Sequence, residues 1–83
     1  MLNVLYFAGL RESLGVASEK IALPVPADVN ALIASLRARG GAWADALGPD
    51  KRWRVAVNQE MAAMHTPLNA GDEVAIFPPV TGG

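Results

Sequence analysis

A chain of 83 residues that is 52% hydrophobic and 18% charged makes one small globular domain, because so short a chain buries only about 60% of the surface its unfolded form exposes. Its formal net charge of -1 gives no electrostatic reason to expect a nucleic acid or an anionic membrane as partner. The lack of cysteine excludes disulfides, thiolate metal ligands and a cysteine nucleophile, fits a cytoplasmic protein, and means that any sulfur chemistry needs another atom to hold the sulfur.

The amino-terminal residues carry no basic segment before an apolar run, and nowhere do about 18 apolar residues follow one another, so the chain reads as soluble and unprocessed at that end. Residues 2–8 are apolar on both parities except at Asn3, the pattern of a strand covered on both faces or central in its sheet. Gly9 ends it. Residues 9–18 read as a connection holding Arg11, Glu12 and Gly15. Residues 19–23 alternate as a shorter, more exposed strand that pairs with the first through a long hairpin loop.

Pro24 and Pro26 block further strand, and Asp28 is placed to cap a helix, its carboxylate accepting from the free N–H groups of the first turn. Val29, Leu32, Ile33 and Leu36 follow the i, i+3, i+4, i+7 spacing of one buried stripe. Arg37 and Arg39 suit the helix macrodipole at its carboxyl end, and Gly40 supplies the left-handed conformation that closes helices. Residues 42–47 add a helical turn with Trp43 and Leu47 inward. Residues 53–58 alternate around Val55 and Val57 as a strand, a tight turn at residues 58–60 leads to a short strand over 61–64, and His65, Thr66 and Pro67 break it. Leu68 anchors the chain before residues 69–72 turn it into a last strand ending at Phe77.

The order strand, strand, helix, strand, strand, strand specifies an α+β roll with a mixed sheet of about five strands and one main helix on one face. The first and last strands, the most apolar, lie parallel and central through a right-handed crossover. That arrangement is the β-grasp, or ubiquitin-like, fold in a single domain over residues 1–83.

Enzyme motifs are absent: there is no phosphate-binding glycine loop, no second histidine near His65 and no nucleophile elbow. His65 reads as a surface residue. Asp72 and Glu73 are adjacent, so on a strand they point to opposite faces and cannot share one substrate. Arg11 in its loop is either solvated or a partner contact. Phe7, Phe77 and Met61 are either core or a docking patch, since one helix covers only one face of a sheet and leaves the other open. The end of the chain is the most distinctive feature. Pro78 and Pro79 forbid a continued ladder and stiffen the exit. Residues 78–83 reach on the order of 20 Å when extended, and Gly82 and Gly83 lack a Cβ, so the terminal carboxylate fits a channel too narrow for side chains. A frayed terminus is the plain alternative.

Residues 71–83, Gly-Asp-Glu-Val-Ala-Ile-Phe-Pro-Pro-Val-Thr-Gly-Gly, resemble the carboxyl-terminal signature of the molybdopterin synthase small subunit family, the ubiquitin-like sulfur carriers. Phe7-Ala8 followed by Arg11-Glu12, and Val55-Ala56-Val57-Asn58, fall where that family has similar stretches, so the resemblance spans essentially the whole chain. The one departure at the tail is Thr81, where small residues are usual; Gly9-Leu10 in the first loop is uninformative.

The resemblance implies a two-stage cycle at Gly83. An E1-like enzyme with bound Mg-ATP adenylates the terminal carboxylate, and a persulfide from a sulfurtransferase then leaves a thiocarboxylate. The tail next enters the large synthase subunit and donates sulfur to cyclic pyranopterin monophosphate, two donations building the dithiolene of molybdopterin. The carrier itself binds no cofactor, and the catalytic groups belong to the large subunit of a heterotetramer with small subunits at its ends. Carried onto this sequence, Gly82 and Gly83 are the working residues, Phe7, Met61 and Phe77 the docking surface, Arg11 a polar contact, and Pro78, Pro79, Val80 and Thr81 the arm in the partner's channel. Rival readings are a β-grasp sulfur carrier for thiazole or amino-acid synthesis and a non-covalent interaction module.

Overall fold

A computed structural model describes residues 1–78. The expectations placed on Pro79, Val80, Thr81, Gly82 and Gly83 lie outside the described residues. Five strands, β1 (Leu2–Tyr6), β2 (Ser18–Ile21), β3 (Arg54–Val57), β4 (Glu60–Met61) and β5 (Glu73–Phe77), form one sheet in the order β2-β1-β5-β3-β4. Helices α1 (Ala8–Leu14), α2 (Val29–Arg37) and α3 (Ala42–Ala46) complete it. β1 and β5 run parallel at the centre, with Val4 opposite Val74 and Tyr6 opposite Ile76. Each has an antiparallel neighbour on its outer side, β2 on β1 and β3 on β5, so the sheet is mixed, as the apolar character of the two central strands predicts.

Alternation along the strands decides which side chains enter the core. Leu2, Val4, Tyr6, Val74, Ile76 and Val55 point to the helical side and are buried. They meet Val29, Leu32, Ile33 and Leu36 of α2, all with no exposed surface, which places the predicted stripe where its spacing requires. Each such side chain contributes roughly 1.5–3 kcal/mol of apolar transfer free energy. α2 starts where predicted: the Asp28 carboxylate accepts from the Ala31 N–H at 2.8 Å. Other first-turn donors are met by the chain after β4, with Val29 N–H bonded to the Thr66 carbonyl and Asn30 N–H to the Met64 carbonyl. Leu47 is fully buried and Trp43 partly so, as expected of the turn that follows α2.

Several boundaries differ from the sequence reading; among them, β1 ends at Tyr6 rather than residue 8 and β3 covers Arg54–Val57 rather than residues 53–58. The connection expected over residues 9–18 holds α1, which starts one residue earlier at Ala8, is held by Leu10 in the core and is closed by Gly15 at φ 76°, whose N–H reaches the Arg11 carbonyl at 2.9 Å. β2 stops at Ile21 instead of residue 23, since its register with β1 ends at the pair Leu2 and Ile21. The fourth strand covers Glu60–Met61 rather than residues 61–64. After Ala62 the backbone is diverted: Ala63 N–H bonds the Thr66 hydroxyl at 2.9 Å and the Met64 carbonyl is taken by α2, so neither group is left for a ladder. Among the described residues no helix is long and apolar enough to cross a membrane.

Candidate docking face and tail exit

The helices cover one side of the sheet, and the other side carries the complementary set of strand residues. Register places Ser18, Leu5, Ala75, Ala56 and Met61 in one row across all five strands. One step further along β5, Phe77 faces Arg54 across the β5–β3 pair. Phe7 follows β1 on the other side of β5, its N–H bonded to the Ile76 carbonyl at 3.2 Å. The open face is therefore apolar in its middle and at the end where β5 delivers Pro78.

Exposure settles part of the question left by the sequence. Phe7 is 45% exposed and Met61 64% exposed, too much for core residues, and Phe77 is half-buried and lies outside the core cluster. The structure brings all three onto one face. Leu5 and Arg54 share that face and went unnoticed in the sequence. The signal for both was the strand alternation itself: once Val4 and Val55 are assigned to the core, their neighbours must point the other way.

Backbone conformation at the end of β1 explains how Phe7 comes to be displayed. Ala8 adopts φ 51°, a left-handed value uncommon for a residue with a Cβ, and the chain turns there from strand into α1. The Phe7 carbonyl accepts from Leu10 N–H at 3.1 Å and Arg11 N–H at 3.4 Å. This puts Arg11, which is exposed, on the helix next to Phe7.

Beside Pro78 lies a hollow of about 500 Å³ lined by Leu10, Ser13, Ala46, Lys51 and Arg52 among others. His65 is exposed. Asp72 precedes β5 and serves the turn: it accepts from Asn58 Nδ2 at 3.0 Å and from Asn69 N–H at 2.9 Å, and these bonds hold its carboxyl below the usual range. Glu73 donates its N–H to Asn58 Oδ1 at 3.0 Å. Among the described residues no group of three or more His, Cys, Asp or Glu side chains is placed to hold a metal ion.

A partly exposed polar network braces the same strands from behind. The Tyr6 hydroxyl donates to Glu19 Oε2 at 2.7 Å, and Arg39 grips the same carboxylate with both Nη atoms at 2.8 and 2.9 Å. The guanidinium also lies 4.4 Å from the Trp43 ring centre, and that ring meets Tyr6 edge-on at 5.4 Å. Hydrogen bonding from Arg39 holds the Glu19 carboxyl below its ordinary range. Burial, with the Glu19 carboxylate adding to it, pushes the Tyr6 phenol up. One carboxylate thereby links β1, β2, the end of α2 and α3.

Similarity to known proteins agrees with this geometry. Residues 4–83 match the ThiS family. The molybdopterin synthase sulfur carrier subunit of Escherichia coli K12 is 45% identical over 83 residues, covering all of both chains. A solved structure from Pyrococcus furiosus, assigned as molybdopterin converting factor subunit 1, superposes with a TM-score of 0.80 at 33% identity, covering 95% of this chain and 97% of the other. The Helicobacter pylori structure of subunits 1 and 2 of molybdopterin-converting factor in complex matches with a TM-score of 0.67 at 26% identity, covering 99% of this chain and 97% of the other. With full-length identity of this order, a β-grasp sheet and an apolar face at the root of a Pro-Pro-Val-Thr-Gly-Gly end, the chain belongs to the ThiS family and, within it, to the molybdopterin synthase sulfur carrier subunits.

Proposed function

We propose that Gly83 is the atom carrier of the molecule: its terminal carbonyl carbon takes up sulfur as a thiocarboxylate and gives it up inside the large subunit of molybdopterin synthase. The observation that carries this reading is the position of β5. The central strand ends with Phe77 on the open apolar face and Pro78 beside it, so a partner that covers Phe7, Phe77, Leu5 and Met61 sits at the root of the arm formed by residues 78–83.

The chemistry follows from what a carboxylate lacks. It is a poor electrophile, so an oxygen of Gly83 first attacks the α-phosphorus of ATP on an E1-like enzyme holding Mg-ATP, and pyrophosphate leaves. The acyl carbon of the resulting adenylate is then attacked by the outer sulfur of a persulfide supplied through a sulfurtransferase, with AMP leaving. A thiol cleaves the remaining S–S bond and frees the thiocarboxylate. Sulfur passes to cyclic pyranopterin monophosphate, and hydrolysis of the acyl group restores the carboxylate. Two loaded carriers serve one dithiolene. The catalytic groups belong to the partners; this chain supplies the electrophilic carbon, the arm that places it and the face that docks. Gly82 and Gly83 let the arm pass a narrow channel, Pro78 and Pro79 direct it, Val80 and Thr81 line it, and Arg11 adds a polar contact beside Phe7.

Deleting Gly83, or adding one residue after it, will abolish sulfur transfer in a reconstituted synthase assay while folding and large-subunit binding stay intact. Full activity of either variant would remove Gly83 from the mechanism. Protein isolated from cells will contain a fraction heavier by the difference between one sulfur and one oxygen, and hydroxylamine will erase that fraction.

A further inference from the structure

We propose that the docking face ends in an anion-accepting corner, formed by Arg54 and Lys51, which receives a carboxylate from the protein that covers the face. The proposal rests on the reading of the open sheet face as a docking surface and adds to it the chemistry that the partner must bring.

Arg54 stands opposite Phe77 in the β5–β3 register and is exposed. Val55, next in the strand, is in the core, so alternation sends the Arg54 side chain to the open face. Lys51 and Arg54 line one hollow of about 280 Å³ together with Trp53, Met61 and Met64. Val29 and Val55 of the core side also line it, so the hollow opens at the sheet edge beside β3, and Arg54 and Met61 belong both to its lining and to the open face. Neither cation is in an ion pair among the described residues: the carboxylate bound by an arginine is Glu19, and its partner is Arg39. Asp72 is engaged by Asn58 and Asn69 at the far end of β5.

Charge complementarity then identifies the occupant. A protein large enough to cover both Phe77 and Met61 also covers Arg54, which lies across β3 between them. Removing a guanidinium from water without a counter-charge is strongly unfavourable, whereas its planar fork binds a carboxylate through two parallel hydrogen bonds. The fitting element is a partner segment in which an apolar side chain enters the hollow beside Trp53 and Met64 and an adjacent Asp or Glu meets Arg54 and Lys51. Such a rim contact acts chiefly on the encounter rate and on register.

The test measures association and dissociation of the full-length carrier with its large synthase subunit, for the wild type, Arg54→Glu, Lys51→Glu, Phe77→Ala and the double variant Ala34→Glu/Ala44→Glu. The double variant matches the charge change of Arg54→Glu on exposed positions of the opposite layer. In about 0.1 M NaCl, Arg54→Glu should slow association about tenfold, and Lys51→Glu by less. The double variant should leave it within about twofold, because its charges lie on the far side of the domain. In about 1 M NaCl, where the screening length falls to about 3 Å, the differences should vanish. Association of Arg54→Glu at the wild-type rate in low salt, or equal slowing by the double variant, overturns the proposal. If Phe77→Ala weakens binding while Arg54→Glu does not, the corner is lost and the docking reading stands. If neither changes binding, the docking reading falls with it.

Discussion

At the scale of single residues, Glu19 has the most to answer for. Its carboxylate accepts from Tyr6 and from both Nη atoms of Arg39, and its folded-state pKa is lowered. A lowered carboxylate pKa adds stability above the unfolded-state value, about 4.3 for Glu, and that contribution is lost as pH falls through the folded value. Tyr6 has the opposite sign. Its folded pKa is raised, so its contribution is complete below the unfolded value of about 10 and declines as pH rises past it. Denaturant melts of the wild type and of Glu19→Gln should therefore converge as pH is lowered below about 4, because protonation removes the charge that the variant lacks. A constant difference between the two at every pH would show that packing, not the ion pair, carries the effect. At the same scale, Phe7 and Met61 show that residue type alone does not announce burial: both are large and apolar, and the sheet face on which they stand has no helix over it.

Elements were legible where one periodicity ruled without competition. α2 was written in full by Asp28, the stripe Val29, Leu32, Ile33 and Leu36, and the basic end at Arg37. Asp28→Ala should cost about 1 kcal/mol of stability, read from the urea midpoint, whereas no change would mean that the carbonyls of Thr66 and Met64 alone organise the first turn. α1 was missed because seven residues hold too few turns to display a stripe; only Leu10, Leu14 and the left-handed Gly15 marked it, and its stability comes from Leu10 entering the core. β4 failed for the converse reason. Residues 61–64 have acceptable strand character, but the Met64 carbonyl and the Ala63 N–H are claimed by α2 and Thr66. Competition of that kind is a property of the packed molecule and has no local sequence signal.

For the molecule as a whole, the division of labour between body and arm is the central expectation. The core cluster runs from Leu2 to Ile76, so all of its members precede the arm. Truncation after Pro78 should leave the unfolding free energy within about 0.5 kcal/mol of the full chain and preserve large-subunit binding through the open face, while sulfur transfer is lost. A truncation that unfolds the domain would show that residues 79–83 pack against the body. The candidate site was legible in unequal measure. The carboxyl-terminal signature stood in the sequence itself, since the chemistry proposed for it resides in the terminal atoms and needs no partner side chains from the same chain. The open sheet face was visible only as a choice between core and patch for Phe7, Met61 and Phe77, and Arg54 was not visible at all.

The sequence by itself determined the central parallel pair, because two strands apolar on both parities have no other place to be covered. It also determined the helix laid across them, because its stripe repeats at the helical period, and the family, because the tail motif survives without a fold. Only the tertiary structure decided that Phe7, Leu5, Phe77 and Met61 share one uncovered surface, and that Arg54 stands on it opposite Phe77. Those residues are separated by up to tens of positions in the chain and meet through strand register, which depends on which face of every strand the core claims.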